Sequence, residues 1–365
     1  MVSHALRHRR RRAAGPHFPA AVLAALAILL WSAAGFAQSG SQVVPLPALG
    51  TDLKAISVSG LSSGAFMASQ FHIAHSSIVI GVGMVAGGPY GCAEAATPWF
   101  ARWYGLAAVV YWASGRCMLG SRLGLGIPAT STLATEIRVL EQARRIDPLT
   151  GIARARVYLF TSTADEVVKW PVVDAAQALY ASLGVQRANL EPVRHEKAQH
   201  AFVTEEKGVA CGKKDETFVT DCDYDQAGAI LRHIYTDVKT RSAQPSAGPV
   251  VFDQKPFAHG SSGHGLADTG YVYVPPQCRD APGCRVHVVF HGCNQVGEGF
   301  VRDSGYAEWA DGNRLIILFP QVENRPPSCW DWVGYTGTGY LTREGLQIVA
   351  VKRMLDRLAQ PSGPN

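Results

Sequence analysis

The stretch Ile56-Ser57-Val58-Ser59-Gly60-Leu61-Ser62-Ser63-Gly64 decides the fold of this 365-residue chain. Residues 56–59 have the composition of a β-strand, and residues 64–75 have the pattern of a helix. The G-x-S-x-G motif between them fits a sharp strand-to-helix turn, which raises a serine hydroxyl above the edge of a sheet. A Gly/Ser-rich loop that only joins the two elements is the alternative. Because a strand and a helix flank the motif in the required order, we predict that Ser62 is a nucleophile.

Strands and helices alternate along the rest of the chain. Strands are expected at residues 78–85, 157–160, 190–195, 271–274, 286–290 and 315–319. Helices are expected at residues 172–183, 223–238, 306–311 and 343–358. This alternation predicts an α/β fold whose mostly parallel sheet carries helices on both faces.

One domain is expected over residues 38–365, although the chain divides into two halves. Residues 241–250 are rich in Ser, Gln, Pro, Ala and Gly and are interpreted as a linker between residues 38–240 and 251–365. Neither half has enough strands for a doubly wound sheet of its own, so we expect one sheet shared by both. With 47% apolar and 17% charged residues, the composition excludes a disordered chain.

A serine nucleophile needs a base, and the base needs a carboxylate that orients it. Asp165 follows the strand at residues 157–160, and open α/β sheets place their sites at the carboxyl ends of strands. Asp174, within a predicted helix, and Asp147, in an Asp-Pro turn, are the other candidates for the orienting carboxylate. A purely structural role in a turn is an alternative for Asp165 as well.

Two histidines compete for the role of base. His200 lies in a loop after the last strand of the first half, whereas His195 is expected on a strand and is flanked by charged residues. The order Ser62, Asp165, His200 is the Ser–Asp–His order of α/β-hydrolases, so we predict this triad.

The backbone N–H after the nucleophile, that of Ser63, is one expected oxyanion donor. The second donor usually comes from an HG-type loop on an earlier strand, but here that loop is downstream, in Val286-His287-Val288-Val289-Phe290-His291-Gly292-Cys293-Asn294-Gln295. The strands that normally lead into the nucleophile therefore stand at the end of the chain. We interpret the chain as a circularly permuted α/β-hydrolase.

Residues 1–37 have the features of a secretory signal peptide. Five arginines and no acidic residue precede an apolar stretch at residues 18–31, and small residues lead to an expected cleavage after Ala37. A membrane anchor is the alternative, but the stretch is shorter than the ~20 residues of a spanning helix. We expect a secreted or periplasmic protein that is free of the membrane after signal removal. The remaining residues carry 29 basic and 29 acidic side chains, which removes the support for nucleic acid binding.

All eight cysteines follow the signal, and an even number in an exported chain suggests disulfides. Proximity favours the pairs Cys92–Cys117, Cys211–Cys222, Cys278–Cys284 and Cys293–Cys329 among 105 connectivities. A zinc site is the competing interpretation, but the chain has no CxxC pair and its cysteine spacings are not typical of zinc.

Together these motifs, with Thr163-Ala164-Asp165, Gln199-His200-Ala201-Phe202 and Cys329-Trp330-Asp331-Trp332, resemble the single-domain, circularly permuted branch of poly(3-hydroxybutyrate) depolymerases. The resemblance implies the triad Ser62, Asp165 and His200, oxyanion amides at Ser63 and Cys293, secretion, and hydrolysis of a polyester or its oligomers. We expect a monomer that needs neither a metal ion nor an organic cofactor.

The two tryptophans of the CWDW segment are candidates for contact with an apolar substrate. Core packing is the alternative for both, and it carries at least equal weight for Trp330, so Trp332 is the better candidate. Two other functions remain open. A feruloyl or acetylxylan esterase would keep the chemistry and change the substrate, and a non-catalytic exported binding protein would keep only the scaffold.

Overall fold

The computed structural model describes residues 42–258 and 262–362. The strands of these residues are β1 Ile56–Leu61, β2 Val79–Val85, β3 Ser121–Arg122, β4 Leu125–Gly126, β5 Arg156–Ser162, β6 Leu190–His195, β7 Phe202–Thr204, β8 Val209–Ala210, β9 Val219–Asp221, β10 Val250–Asp253, β11 Thr269–Tyr273, β12 Arg285–Phe290 and β13 Leu315–Phe319. The α-helices are α1 Ser63–Ala74, α2 Cys92–Ala96, α3 Leu106–Cys117, α4 Thr130–Gln142, α5 Thr150–Arg154, α6 Trp170–Ser182, α7 Gln226–Ile234, α8 Lys255–Ala258, α9 Glu298–Asp303, α10 Tyr306–Asn313 and α11 Leu346–Ala359.

One eight-stranded sheet contains strands from both halves of the chain, in the order β10-β11-β13-β12-β1-β2-β5-β6. The six strands from β13 to β6 are parallel, and only β10 and β11 at one edge run antiparallel to their neighbours. The nucleophile strand β1 lies between β2 and β12, and all six of its residues are buried. Helices flank the sheet. The predicted α/β fold is therefore confirmed, and the strand order is that of a permuted hydrolase.

The two ends of the described chain lie side by side. Leu49 N donates to Leu358 O at 2.9 Å, and Gly50 N donates to Gln360 O at 2.8 Å, so the segment before β1 pairs with the end of α11. Neighbouring ends allow a chain to be cut and rejoined elsewhere without disturbing its core. This contact explains how the HG-type loop can follow the nucleophile by more than 200 residues and still stand on the adjacent strand.

The stretch interpreted as a linker is attached to the rest of the fold. Ser242 N donates to Glu308 O at 2.9 Å, Ser246 Oγ donates to Asp311 at 2.9 Å, and Val250 already begins β10. The predicted helix at residues 223–238 is shorter, because Asp225 caps its start by accepting from Gly228 N, and it ends at Ile234. Sequence patterns also missed α3, α4 and a small sheet of β7, β9 and β8.

Four disulfides are present, and they are the four pairs expected from proximity: Cys92–Cys117, Cys211–Cys222, Cys278–Cys284 and Cys293–Cys329. The expected signal peptide lies outside the described residues. Within residues 42–258 and 262–362, none of the helices combines the length and the apolar character needed to cross a bilayer.

Candidate active site

Ser62 occupies the turn between β1 and α1 in a strained backbone conformation, with φ 56° and ψ −120°. A non-glycine residue held at positive φ costs about 1–3 kcal/mol, and such strain clusters at functional sites. The turn is tight because a Cβ at Gly60 would come within 2.3 Å of the Gly64 carbonyl, and one at Gly64 within 2.2 Å of Phe290 O. Both glycines of the motif are therefore required by close backbone approach, as the elbow interpretation demands.

Asp165 and His200 form a hydrogen-bonded pair. Asp165 lies three residues beyond β5 and is 2% exposed, and its Oδ1 accepts from the backbone N–H groups of Val167 and Val168 at 2.8 and 2.9 Å. Its Oδ2 lies 2.8 Å from His200 Nδ1. A proton on Nδ1 leaves Nε2 as the acceptor, which is the tautomer that a general base requires.

The rival residues have other partners. Asp174 makes an ion pair with Arg194 at 2.7 Å on the surface, and Asp147 accepts from Ser77 N and pairs with Arg343. The Nδ1 atom of His195 accepts backbone N–H groups in its own loop. The side chains of these three residues make no hydrogen bond or ion pair with Asp165 or His200.

The topology brings the triad candidates to one edge of the sheet. Strands β1, β2 and β5 are adjacent and parallel, so Ser62 after β1 and Asp165 beyond β5 lie at the same carboxyl edge. His200 reaches this edge from the loop between β6 and β7. The Ser62 hydroxyl makes no hydrogen bond with any described residue, and such catalytic contacts often tighten only when substrate binds.

A buried polar network supports the nucleophile strand from beneath. The imidazole of His287 on β12 bridges Ser57 and Ser59 on β1, at 2.6 and 2.8 Å, and Tyr235 and Tyr306 complete the chain of hydrogen bonds. Burial lowers the pKa of His287 to about 3, so this ring stays neutral. The network ties together the two strands that carry the elbow and the HG-type loop.

The HG-type loop after β12 is held from both sides. His291 Nε2 accepts from Val322 N at 3.3 Å, so its Nδ1 carries the proton and donates to Gly292 O at 2.7 Å. Burial lowers the pKa of His291 to about 4. Gln295 accepts from Gly292 N at 2.8 Å and donates to Thr217 O at 2.8 Å. No local pattern predicts this role of Gln295, since its partner Thr217 is 78 residues away.

Two backbone N–H groups beside the elbow remain available. Those of Ser63 and Cys293 donate to no described residue, whereas the neighbouring Asn294 N donates to Pro327 O at 3.0 Å. The N–H of Ser63 also stands at the N-terminus of α1, where the partial positive charge of a helix favours an anion. The arrangement can therefore accept a developing oxyanion.

The CWDW segment places its two tryptophans in different environments. Trp330 is 0% exposed and packs against Phe290 and His291, which favours the core role considered for it. Trp332 is partly exposed and packs against Phe66 of α1 in a tilted arrangement, with ring centroids 5.0 Å apart. Since Phe66 lies one turn after Ser62, Trp332 is the tryptophan of this pair that borders the elbow.

Among the described residues, one cluster of side chains has the ligand atoms of a metal site close together: His195, Cys211 and Cys222. The two sulfurs are bonded to each other in a disulfide, so they are not available as the thiolates that bind zinc.

No protein-family model matches the chain. A poly(3-hydroxybutyrate) depolymerase of Delftia acidovorans is 39% identical over 330 residues, which cover 88% of this chain and 63% of that protein. A polyhydroxybutyrate depolymerase of Talaromyces funiculosus is 31% identical over 329 residues, which cover 84% of this chain and 90% of that protein. The chain belongs to the poly(3-hydroxybutyrate) depolymerase family. It spans less than two thirds of the length of the Delftia acidovorans protein.

Solved structures of poly(3-hydroxybutyrate) depolymerases share this fold. A depolymerase variant complexed with an R3HB trimer has a TM-score of 0.74 and 28% identity, over 87% of this chain and 99% of that one. The depolymerase from Penicillium funiculosum has a TM-score of 0.74 and 29% identity, again over 87% of this chain and 99% of that one. The resemblance inferred from the sequence motifs is therefore confirmed at the level of family and fold.

Proposed function

We propose that the chain is a serine esterase that hydrolyses the ester bonds of poly(3-hydroxybutyrate), of related short-chain polyhydroxyalkanoates, or of their oligomers. The observation that carries this proposal is the Asp165–His200 pair at 2.8 Å, at the same sheet edge as the strained Ser62. Membership of the depolymerase family supports the substrate class.

In the proposed reaction, Ser62 Oγ attacks the ester carbonyl while His200 Nε2 takes its proton. Asp165 keeps the imidazole in the required tautomer and stabilises the imidazolium. The N–H groups of Ser63 and Cys293 bind the oxyanion of the tetrahedral intermediate. The imidazolium then protonates the leaving alkoxide, and water, activated by the same imidazole, releases the hydroxyacid from the acyl-enzyme.

We further propose that the protein acts outside the cytoplasm, as a monomer, after removal of residues 1–37. Four disulfides support this location, because such bonds persist in oxidising compartments.

The triad is tested with purified protein on a polyester suspension, by the fall in turbidity and the release of soluble hydroxyacid. Ser62→Ala and His200→Ala should each lower turnover by several orders of magnitude without unfolding the protein. His195→Ala is the matched control and should keep most of the activity. Near-normal turnover by Ser62→Ala would refute the assignment.

Two parallel assays separate the alternative functions. Release of feruloyl or acetyl groups, with no clearing of the polyester, would indicate the carboxylesterase alternative. A fluorophosphonate probe should label Ser62 in the wild-type protein, and failure to label a folded protein would favour the non-catalytic binding protein.

A further inference from the structure

A small cavity lies directly beside His200. Its walls are mostly apolar, since Val167, Val209 and Phe218 line it together with His200. Phe218 meets the imidazole edge to face, with ring centroids 6.3 Å apart. The cavity has a volume of about 110 Å³, and one water molecule needs about 10–15 Å³ by the same measure. It therefore has room for one small hydroxyacid unit but not for a long chain.

One side of the cavity is formed by the loop between β8 and β9, residues 211–218, which we call the cavity loop. The Cys211–Cys222 disulfide ties the start of this loop to the residue that follows β9. Within the loop, Lys213 N donates to Ala210 O at 3.0 Å, so the chain turns back on β8. These two ties hold the cavity loop, and with it the backbone of Lys213, beside His200.

Lys213 is the one lysine at the cavity that has no ion pair among the described residues. The cavity also borders Lys214, Glu166 and Asp215. Lys214 pairs with Glu166 at 3.0 Å, and Asp215 accepts from the hydroxyl and the backbone N–H of Thr217. Both acids at the cavity thus have partners of their own. The cavity combines apolar walls with an ammonium group that is available to an anion.

The direction of the polyester chain decides which part of a substrate reaches this cavity. In the proposed reaction His200 protonates the leaving alkoxide, so the leaving unit lies on the His200 side of the ester carbonyl. In a polyester of 3-hydroxyacids, the unit whose oxygen leaves carries the carboxyl side of the chain, and its own carboxyl group follows after two carbons. When that unit is the last one, this group is a free carboxylate. It then stays close to His200 and inside the same cavity.

We propose that the cavity binds the carboxylate-bearing end unit of a short hydroxyacid oligomer, and that Lys213 pairs with the carboxylate. The inference rests on the proposed function, because it requires an ester that is cleaved at Ser62 and an alkoxide that leaves beside His200. The apolar walls contact the methyl and methylene groups of the unit, and the ammonium group recognises its charge. An interior unit of the polymer has an ester in place of the carboxylate and makes no ion pair with Lys213. The enzyme should therefore distinguish free-acid chain ends from esterified ones.

The test compares two substrates that differ only in this charge, the dimer of (R)-3-hydroxybutyrate as the free acid and as its methyl ester. Release of the leaving unit from the inner ester gives kcat/KM for each substrate. An ion pair near the surface contributes up to about fivefold in affinity, so the wild type should favour the acid by about three- to fivefold. The preference should shrink in about 0.5 M NaCl, because salt screens exposed charges.

Three variants test whether Lys213 is the source of this preference. In Lys213→Gln the ratio of kcat/KM for the acid over the methyl ester should fall to about one, and Lys213→Arg should keep most of the ratio. In Lys213→Glu the ratio should fall below one, because like charges repel. The matched control Lys54→Gln removes the same charge from an exposed side chain before β1, at the amino edge of the sheet, and should keep the wild-type ratio. A wild type that does not favour the acid, or the same preference in Lys213→Gln, would overturn the proposal.

Binding to the Ser62→Ala variant separates this inference from the proposed function. Calorimetric titration with the acid and with the methyl ester measures the preference without turnover. If no ester is hydrolysed but the acid binds more tightly through Lys213, the proposed function fails and the cavity remains a carboxylate site. If esters are hydrolysed and neither binding nor kcat/KM depends on Lys213, the proposed function stands and this inference is wrong.

Discussion

Removing the Cys293–Cys329 bridge should affect both stability and turnover. The bridge closes a loop of 36 residues, which corresponds to about 4 kcal/mol in the chain-entropy model, before any strain. The double variant Cys293→Ser/Cys329→Ser keeps the backbone N–H of the proposed oxyanion donor and leaves no free thiol. The hydrogen bond from Asn294 N to Pro327 O and the packing of Trp330 against His291 still join the two segments in this variant.

The kinetic effect should be moderate, because the HG-type loop keeps its anchors at His291 and Gln295. Complete loss of one oxyanion donor costs 10²–10³-fold, so a loosened donor should lower kcat/KM by about tenfold. The Michaelis constant should rise as well, since Trp332 follows Cys329 closely and loses its fixed position beside Phe66.

The matched control is Cys278→Ser/Cys284→Ser, which opens a loop of only 6 residues before the start of β12, away from the carboxyl edge. Its loss should be about 2 kcal/mol, with kcat/KM unchanged. Urea unfolding followed by tryptophan fluorescence gives the stabilities, and a soluble ester gives the kinetics. If the control loses as much stability as the test variant, the loop-closure reasoning is wrong. If the test variant keeps kcat/KM within twofold, the bridge does not position the oxyanion loop.

Three further outcomes are expected. Gly64→Ala should destabilise the protein by about 3 kcal/mol, because its Cβ would lie 2.2 Å from Phe290 O. If urea unfolding gives this variant the same stability as the wild type, the close approach is contradicted. Acidification should weaken the fold, because burial lowers the pKa values of His72 and His287 to about 3 and those of His75 and His291 to about 4. The unfolded value is near 6.5, so these four groups take up roughly four protons on unfolding near pH 5. The unfolding free energy should then fall by about 5 kcal/mol per pH unit near pH 5, and the slope should drop by about one proton in His287→Gln. A flat profile from pH 6.0 to 4.5 would exclude this linkage. Gln295→Ala should lower kcat about tenfold with a smaller change in KM. Gln295→Glu keeps the acceptor for the backbone N–H of Gly292 and should recover part of the lost kcat. Equal rates in the wild type and both variants would show that Gln295 does not position the loop.

Much of the architecture could be predicted from the sequence, because it depends on local patterns. The apolar runs before Ser62 and before His291 are short and bounded, and buried parallel strands have this pattern. The G-x-S-x-G motif is equally local, since a tight turn with a strained serine tolerates only glycine where the backbones touch. The order of the motifs then indicated the permutation, and the four disulfides joined the cysteines that proximity favoured.

Features that depend on partners distant in the chain were decided by the tertiary structure. The role of Gln295 requires Thr217, 78 residues away. The network beneath β1 joins residues of β1, β12 and α10 with Tyr235, which directly follows α7. No local pattern encodes such pairs, because the sheet order brings them together only when the chain has folded.

The exposure of aromatic side chains is the clearest example of a feature that local sequence patterns do not encode. Trp330 and Trp332 stand two positions apart, yet one is completely buried against the HG-type loop and the other borders the elbow. Residues 99–111 have the composition of a core segment, but Trp99, Trp103 and Tyr104 are exposed. Hydrophobicity makes the burial of a side chain favourable, but burial also requires a neighbouring element that covers the side chain. Whether a neighbour is there depends on how the elements pack, and only the folded chain decides that.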